Sequence, residues 1–407
     1  MPSPMPSPAS PHAPTRPDPA ASAHRPVGAG TAAWVGLLGL ASAMGVGRFA
    51  FTPMLPLMQQ AGTLTLAQGG ALARANYLGY LLGALASLGL ARFPGRAARI
   101  GLVAVALLTA GMGLTASYPL WVILRLLAGV ASAFVLVGVS SWALPILAAR
   151  GRGSWAGWIY AGVGTGIVVC GLVGLVTGVR GVSPDTTWLL LGALSAVVAV
   201  ACLPSLRDPA PAGPVAPGRP RGRLDAESWR LVLAYATFGF GYIVPATFLP
   251  AAARQVVPDP AVFAWTWPVF GLAAALSTLL VSRWLAGAPP RRLWAGSQLV
   301  MALGVLVPAA HTSVGTLLFS ATAVGGTFMV LTMSGIQEAR RVAAASAPRL
   351  ISAMTAAFAL GQLVGPYTVT TLGSASSPGI AVPLAIAAAV LLVGLVPLAG
   401  RGGPARR

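Results

Sequence analysis

The chain contains no lysine, only seven acidic residues and only two cysteines in 407 residues. Charged residues make up 8% of it, against about a quarter in an ordinary soluble domain. A water-soluble fold of this length could not cover its surface with so few charges, and a hydrophobic share of 56% excludes a disordered chain. Cys170 and Cys202 fall in separate apolar stretches, so neither a disulfide framework nor a zinc spacing follows, and both read as buried small hydrophobes. Of the three histidines, His12 and His24 lie near the N-terminus and His311 stands alone. No nucleophile, base or metal set points to an enzyme, and no cofactor is expected. No glycine-rich phosphate loop is present, which argues against an ATP-driven pump.

What the chain has instead is apolar length, with a mean hydropathy of +0.79. Twelve apolar segments, at 31–58, 67–91, 98–117, 119–146, 155–178, 187–205, 229–253, 261–286, 293–311, 314–336, 350–373 and 379–400, each approach the ~20 residues that cross a bilayer. Lipid offers backbone amides no partner, and the segments are too long for barrel strands, so helices are expected throughout. The net charge of +19 would suggest nucleic acid as the partner of a soluble protein. Here the arginines sit in short loops. With the N-terminus inside, 21 of the 26 fall on the cytoplasmic side and only Arg180 and Arg254 on the other. That bias puts both termini in the cytoplasm and makes lipid, not nucleic acid, the surrounding partner.

Residues 1–30, rich in Pro, Ala and Ser, read as a cytoplasmic tail. The Pro- and Arg-rich stretch 206–228 divides two six-helix halves, 31–205 and 229–400, and residues 401–407 form a second cytoplasmic tail. A repeat supports the division. Gly45–Pro56 reads GVGRFAFTPMLP and Gly239–Pro250 reads GFGYIVPATFLP, 194 residues apart, in segments one and seven. Phe134 and Phe328 share that offset. Two parallel six-helix halves are a transporter repeat.

With these segments in place, the chain resembles the major facilitator superfamily over residues 31–400, and GVGRFAFTPMLP followed by ANYLGYLLGA at Ala75–Ala84 resembles its YbfB/YjiJ-type bacterial transporters. The resemblance implies an all-helical membrane fold and a transport role in the bacterial inner membrane, without naming a ligand. The loop 91–100 keeps Arg92, Gly95, Arg96 and Arg99 but lacks the acid usual in that superfamily motif. Arg125 and Gly129 match the motif of the fourth helix, and a Gly-x-x-x-Gly-Pro motif stands at Gly361–Pro366, in segment eleven instead of five.

Arg48, Arg74 and Arg125 are the basic residues placed inside helices. A mid-membrane arginine costs at least about 2.5–3.5 kcal/mol, so it faces a cavity or a partner. At about 1.5 Å per residue, Arg48 lies ~15 Å and the other two ~10 Å from the outer ends. With no acid in the first six helices to neutralise them, they point to an anion held by guanidinium forks, or else to helix carbonyls or snorkelling. Segment ten carries Thr316, Ser320, Thr327, Ser334 and Glu338 on one face. That face either lines a pathway or bonds to its own backbone. Glu338 either takes up a coupling proton or pairs with Arg340 or Arg341. Asn76, Tyr77, Tyr80, Tyr242 and Gln362 are the candidate neutral ligands, with Tyr242 aligned to Arg48 in the repeat. The expected function is secondary transport of a small solute, an organic anion on the charge argument, by a monomer that works with or without a coupling proton or ion. The competing expectation is an exporter of amphiphilic drugs or metabolites with the same fold.

Overall fold

The computed structural model of the protein describes residues 27–87, 93–208, 224–257, 259–285, 287–343, 346–372 and 381–399, and these contain helices and no strand. The expected tails therefore lie outside the described residues except at 27–30, as does 209–223 of the expected central connection. The long helices are α1 (Ala29–Gln60), α2 (Leu66–Ser87), α3 (Pro94–Met112), α4 (Tyr118–Ala149), α5 (Gly153–Val179), α6 (Pro184–Cys202), α7 (Ala226–Val256), α8 (Thr266–Trp284), α9 (Pro290–Ala310), α10 (Val314–Val342), α11 (Ala347–Leu372) and α12 (Ala381–Leu398). Ten of them contain a stretch long and apolar enough to cross a membrane. The other two are more polar: α2 carries Gln68, Arg74 and Asn76, and α8 opens on Thr266, Trp267 and Pro268 and carries Arg283 in its last turn.

The outside of the bundle is apolar. Leu107, Val197, Val200 and Leu233 are each more than half exposed. The inside holds Arg48, Asn76, Arg125, Gln298, Glu338 and Gln362, all buried. That inversion is stable only where lipid replaces water outside.

Glycine sets the helix spacing. A Cβ on Gly45 would overlap the backbone of Gly166, and one on Gly239 would overlap the carbonyl of Phe358, three residues before Gly361. The first contact joins α1 to α5 and the second joins α7 to α11. Likewise Gly129 of α4 meets the carbonyl of Asn76 in α2, and Gly325 of α10 meets that of Phe270 in α8. Asn76 and Phe270 are again 194 residues apart. α5 lies along α8 through Gly157, Gly164 and Gly171.

Several helix ends differ from the apolar runs in the sequence, and two of them have a clear local cause. α10 continues beyond 336 to Val342 because Glu338 pairs with Arg341 one turn on, so its polar end stays helical. α7 starts at Ala226 because the Asp225 side chain accepts from the Ser228 amide and caps the first turn. The loop before α3 lacks its acid, yet the N-terminus of α3 has one. Asp208, beyond α6, accepts from the amides of Gly95 at 2.7 Å and Arg96 at 3.3 Å.

Candidate functional site

α1 is not one uniform helix. Ala29–Leu40 and Phe51–Gln60 are α-helical, and Ala41–Phe49 between them is π-helical. Pro53 lacks an amide proton and its ring crowds the carbonyl of Phe49, four residues back, where the wide turn ends. Neighbouring helices hold the widened carbonyl ladder from the side. Ser132 of α4 donates to the Ala43 carbonyl at 2.7 Å, and the Cys170 thiol of α5 donates to Gly45 at 3.4 Å. Arg125 of α4 donates through Nη1 to the Gly47 carbonyl at 3.1 Å and through Nη2 to that of Arg48 at 3.0 Å. Its guanidinium carbon lies 5.1 Å from the Phe51 ring centre. Burial lowers the reach of water to Arg125, and Asn76 secures the Arg125 carbonyl at 2.9 Å. Both terminal nitrogens of Arg125 are therefore taken up by backbone.

Arg48 is presented by this segment and is 3% exposed. It donates through Nη2 to Gln362 Oε1 of α11, and Gln362 Nε2 donates to the Tyr242 hydroxyl at 3.1 Å. One amide thus joins the two residues that occupy the same place in the repeat. The Arg48 guanidinium carbon is 4.0 Å from the Tyr80 ring centre, 5.3 Å from Phe49 and 5.6 Å from Tyr77. Tyr242 stacks between Phe328 and Phe358, with ring centres 5.5 and 5.6 Å away. No salt bridge to Arg48 or Arg125 occurs among the described residues.

The same region closes α1 against α7. Thr52 donates to the carbonyl of Ala246 at 2.9 Å, and these two are repeat counterparts. Tyr77 and Thr247 share a hydrogen bond of 2.7 Å, and Arg254 reaches the Pro56 carbonyl at 3.4 Å. Thr52 and Pro56 lie in the C-terminal half of α1, and Ala246, Thr247 and Arg254 in that of α7, while Tyr77 joins them from α2. At the opposite end, α11 is partly accessible at six of the seven residues 351–357, Met354 being the buried one.

The other predicted residues make no hydrogen bond to Arg48, Gln362 or Tyr242 among the described residues. Arg74 is half-buried, with its guanidinium carbon 5.7 Å from the Tyr367 ring centre and its Nη1 buried without a hydrogen bond. Thr327 is buried but donates to the carbonyl of Ala323 in its own helix at 2.6 Å, and Ser334 does the same to Val330 at 2.7 Å. Thr316 belongs to the capping box of α10 with Ser313. Glu338, fully buried, holds Arg341 through two bonds of 2.7 and 2.8 Å and lies 3.8 Å from Arg291. Arg291 in turn pairs with Glu227 at the start of α7 and donates to the carbonyls of Pro397 and Leu398 near the end of α12.

The sequence reading passed over Phe49, Thr247, Trp267 and Phe358. Phe49 meets both Trp267 and Phe328 edge-on, at 6.2 and 6.1 Å. The 194-residue offset picks out Phe328 alone in this aromatic wall: it pairs Phe49 with Ile243, Trp267 with Ala73 and Phe358 with Gly164, so it carries no signal for the other three. Several buried polar atoms have no hydrogen-bond partner among the described residues: Arg48 Nε, Arg125 Nε, Trp267 Nε1, Ser42 Oγ, Ser320 Oγ and Asn76 Oδ1. The three nitrogens are donors only, so the balance here calls for an acceptor.

Membrane-length helices, an apolar outer surface and a buried cation where two repeated helices meet define a polytopic membrane transporter. The chain belongs to the major facilitator type: the family model described as "Uncharacterised MFS-type transporter YbfB" matches residues 40–398. No curated protein matches the chain significantly.

Proposed function

We propose that the protein is a monomeric secondary transporter for a small organic anion in the bacterial inner membrane, built from twelve membrane-crossing helices in two six-helix halves. The observation that carries this reading is Arg48: a buried guanidinium, ringed by aromatic faces, whose polar partner is a neutral amide from α11. A carboxylate is a stronger acceptor for guanidinium than an amide oxygen, and two parallel bonds suit its geometry. An entering anion therefore displaces Gln362 from Arg48. That exchange breaks a link between α1 and α11, so binding loosens one half from the other, which is the coupling alternating access requires. The repeat contacts at the glycine pairs support the two-half organisation.

In this scheme Arg48 contacts the substrate and Arg125 fixes the backbone that presents it. Tyr77, Tyr242, Gln362 and Thr327 line the neutral side, and Arg74 sits toward the α2–α11 seam. The contacts of α1 with α7 seal the C-terminal ends of those helices, while α11 is accessible at its N-terminal end. With both termini cytoplasmic, as the arginine bias has it, this is the inward-facing form. Glu338 acts in a cytoplasmic ion-pair cluster, and a co-transported proton travels on the anion itself. The wall of Phe49, Trp267, Phe328 and Phe358 favours a second reading, export of amphiphilic compounds, in which aromatic burial and not charge selects the ligand.

A thermal-shift screen of the purified protein separates the two. Benzoate, lactate, succinate and glutamate are compared with ethidium and rhodamine 6G; a ligand at 100 times its dissociation constant stabilises by about 2.7 kcal/mol. Stabilisation by a carboxylate that cationic dyes do not displace supports the anion reading. Stabilisation by the dyes alone replaces it with the exporter.

A further inference from the structure

A cavity of about 390 Å³ opens between α1 and α5, lined by Gly30, Ala33, Trp34, Leu37, Trp155 and Trp158. It lies on the outside of the bundle. α5 turns Gly162 and Gly166 to α1, Gly157, Gly164 and Gly171 to α8, and buries Tyr160 and Ile167 on a third side. The remaining face carries Trp158, 49% exposed, with Leu172 and Val176, also exposed and apolar. Trp34 across the seam is 59% exposed. The hollow exists because two small residues stand where a filling side chain could: a Cβ on Gly30 would meet nothing within 4 Å.

Its rim is cationic. Arg152 places its guanidinium carbon 5.0 Å from the centre of the Trp155 ring, and Arg150 and Arg152 are both exposed. Neither the lining nor the segment 149–158 contains an acid. An apolar hollow walled by indoles, open toward lipid and edged by arginine that makes no salt bridge among the described residues, matches an amphiphile with an anionic head. We infer that this groove binds an acidic phospholipid, with an acyl chain against Leu37 and the three tryptophans and the phosphate at Arg152. The inference requires the membrane setting and is independent of which solute is transported.

Indole fluorescence tests it on the full chain in phosphatidylcholine vesicles. Phosphatidylglycerol with brominated acyl chains, which quench indoles in contact with them, is compared with brominated phosphatidylcholine at rising mole fraction. The Trp34→Phe/Trp158→Phe double variant gives the signal to subtract, so that general attraction of acidic lipid to other tryptophans drops out. The expected result is half-maximal quenching of this component at a several-fold lower mole fraction of the acidic lipid. Arg152→Gln, at an exposed loop position, should erase the difference between the lipids. Gly30→Phe, whose ring enters open space, should remove the component itself without lowering the unfolding temperature. Equal quenching by the two lipids in the unsubstituted protein, or an acidic-lipid preference that persists in either variant, would overturn the proposal.

Discussion

The segments Gly45–Pro56 and Gly239–Pro250 occupy corresponding places in α1 and α7 but carry different chemistry. Each has a glycine seated on the backbone of a partner helix, Gly45 on Gly166 and Gly239 beside Phe358 and Gly361. Each supplies one member of the Thr52–Ala246 contact. The α1 segment then presents a guanidinium from a π-helical turn, whereas the α7 segment presents a phenol, with Pro245 inside its helix. The ends of the bundle show a similar reversal. The chain after α6 puts the Asp208 carboxylate on the amides that open α3, while α9 opens with Arg291 donating to carbonyls near the end of α12. Packing demands are shared by the two regions, because helices must approach equally closely in both. Electrostatic demands are not, and the difference leaves a guanidinium buried in α1 where α7 buries a phenol.

The largest expected effect falls where the two segments differ most. Arg48→Ala should abolish transport while leaving an inserted, folded protein, and Arg48→Lys should restore little, since an ammonium lacks the planar fork. Tyr242→Phe removes one neutral hydrogen bond worth about 1 kcal/mol, so uptake into proteoliposomes should fall about fivefold. Equal losses at Arg48 and Tyr242 would break the asymmetry proposed between the segments.

The shared packing predicts the next largest effect. Gly45→Ala and Gly239→Ala each force a methyl group into a backbone contact, and each should destabilise by about 1–3 kcal/mol, read as a lower unfolding temperature in detergent. If only one of them destabilises, the segments do not serve equivalent packing roles. Arg125→Gln should leave substrate sign selectivity intact but weaken binding by about tenfold, because Arg48 loses the backbone support at its own carbonyl. A switch in preferred substrate charge would instead make Arg125 a direct ligand.

The smallest effects concern the cytoplasmic end. Glu338→Gln should cost about 1 kcal/mol, because the amide oxygen still accepts from Arg341 but the charge on the acceptor is lost. Asp225→Ala should cost about 1 kcal/mol as the cap of α7 is lost. The Ser228 amide holds the Asp225 carboxyl below the usual range. Its contribution is therefore complete above the unfolded pKa of about 3.9 and lost as pH falls through the lower folded value, so the two proteins should converge in stability only in strong acid.

Much of the architecture was legible because hydropathy and arginine placement respond directly to lipid. Arg48, Tyr242 and Gln362 were each visible as polar residues in apolar runs, and the repeat paired the first two. Their meeting through one amide was not visible, since Gln362 lies 314 residues from Arg48 and only the packed helices bring them together. Helix carbonyls were one of the partners open to Arg125 from the sequence, but which carbonyls they are was hidden. Apolar periodicity does not distinguish a π-helical stretch from an α-helical one of similar length, so the carbonyls it exposes could not be assigned to Arg125, Ser132 and Cys170. Thr327 shows the same limit: a hydroxyl on a buried face lines a pathway or closes on its own helix, and spacing is identical in both cases.

The central claim is that Arg48 receives the anion, and its Nε–H, which has no hydrogen-bond partner among the described residues, reports on that event directly. Protein labelled with 15N-arginine, with the Arg48 resonance identified by its absence from the Arg48→Lys spectrum, is titrated with the carboxylate that stabilises best in the thermal screen. The account predicts a downfield shift of the Arg48 Nε–H signal that saturates at the same dissociation constant as the thermal stabilisation. A carboxylate that binds and is transported while the Arg48 signal stays unmoved would contradict it.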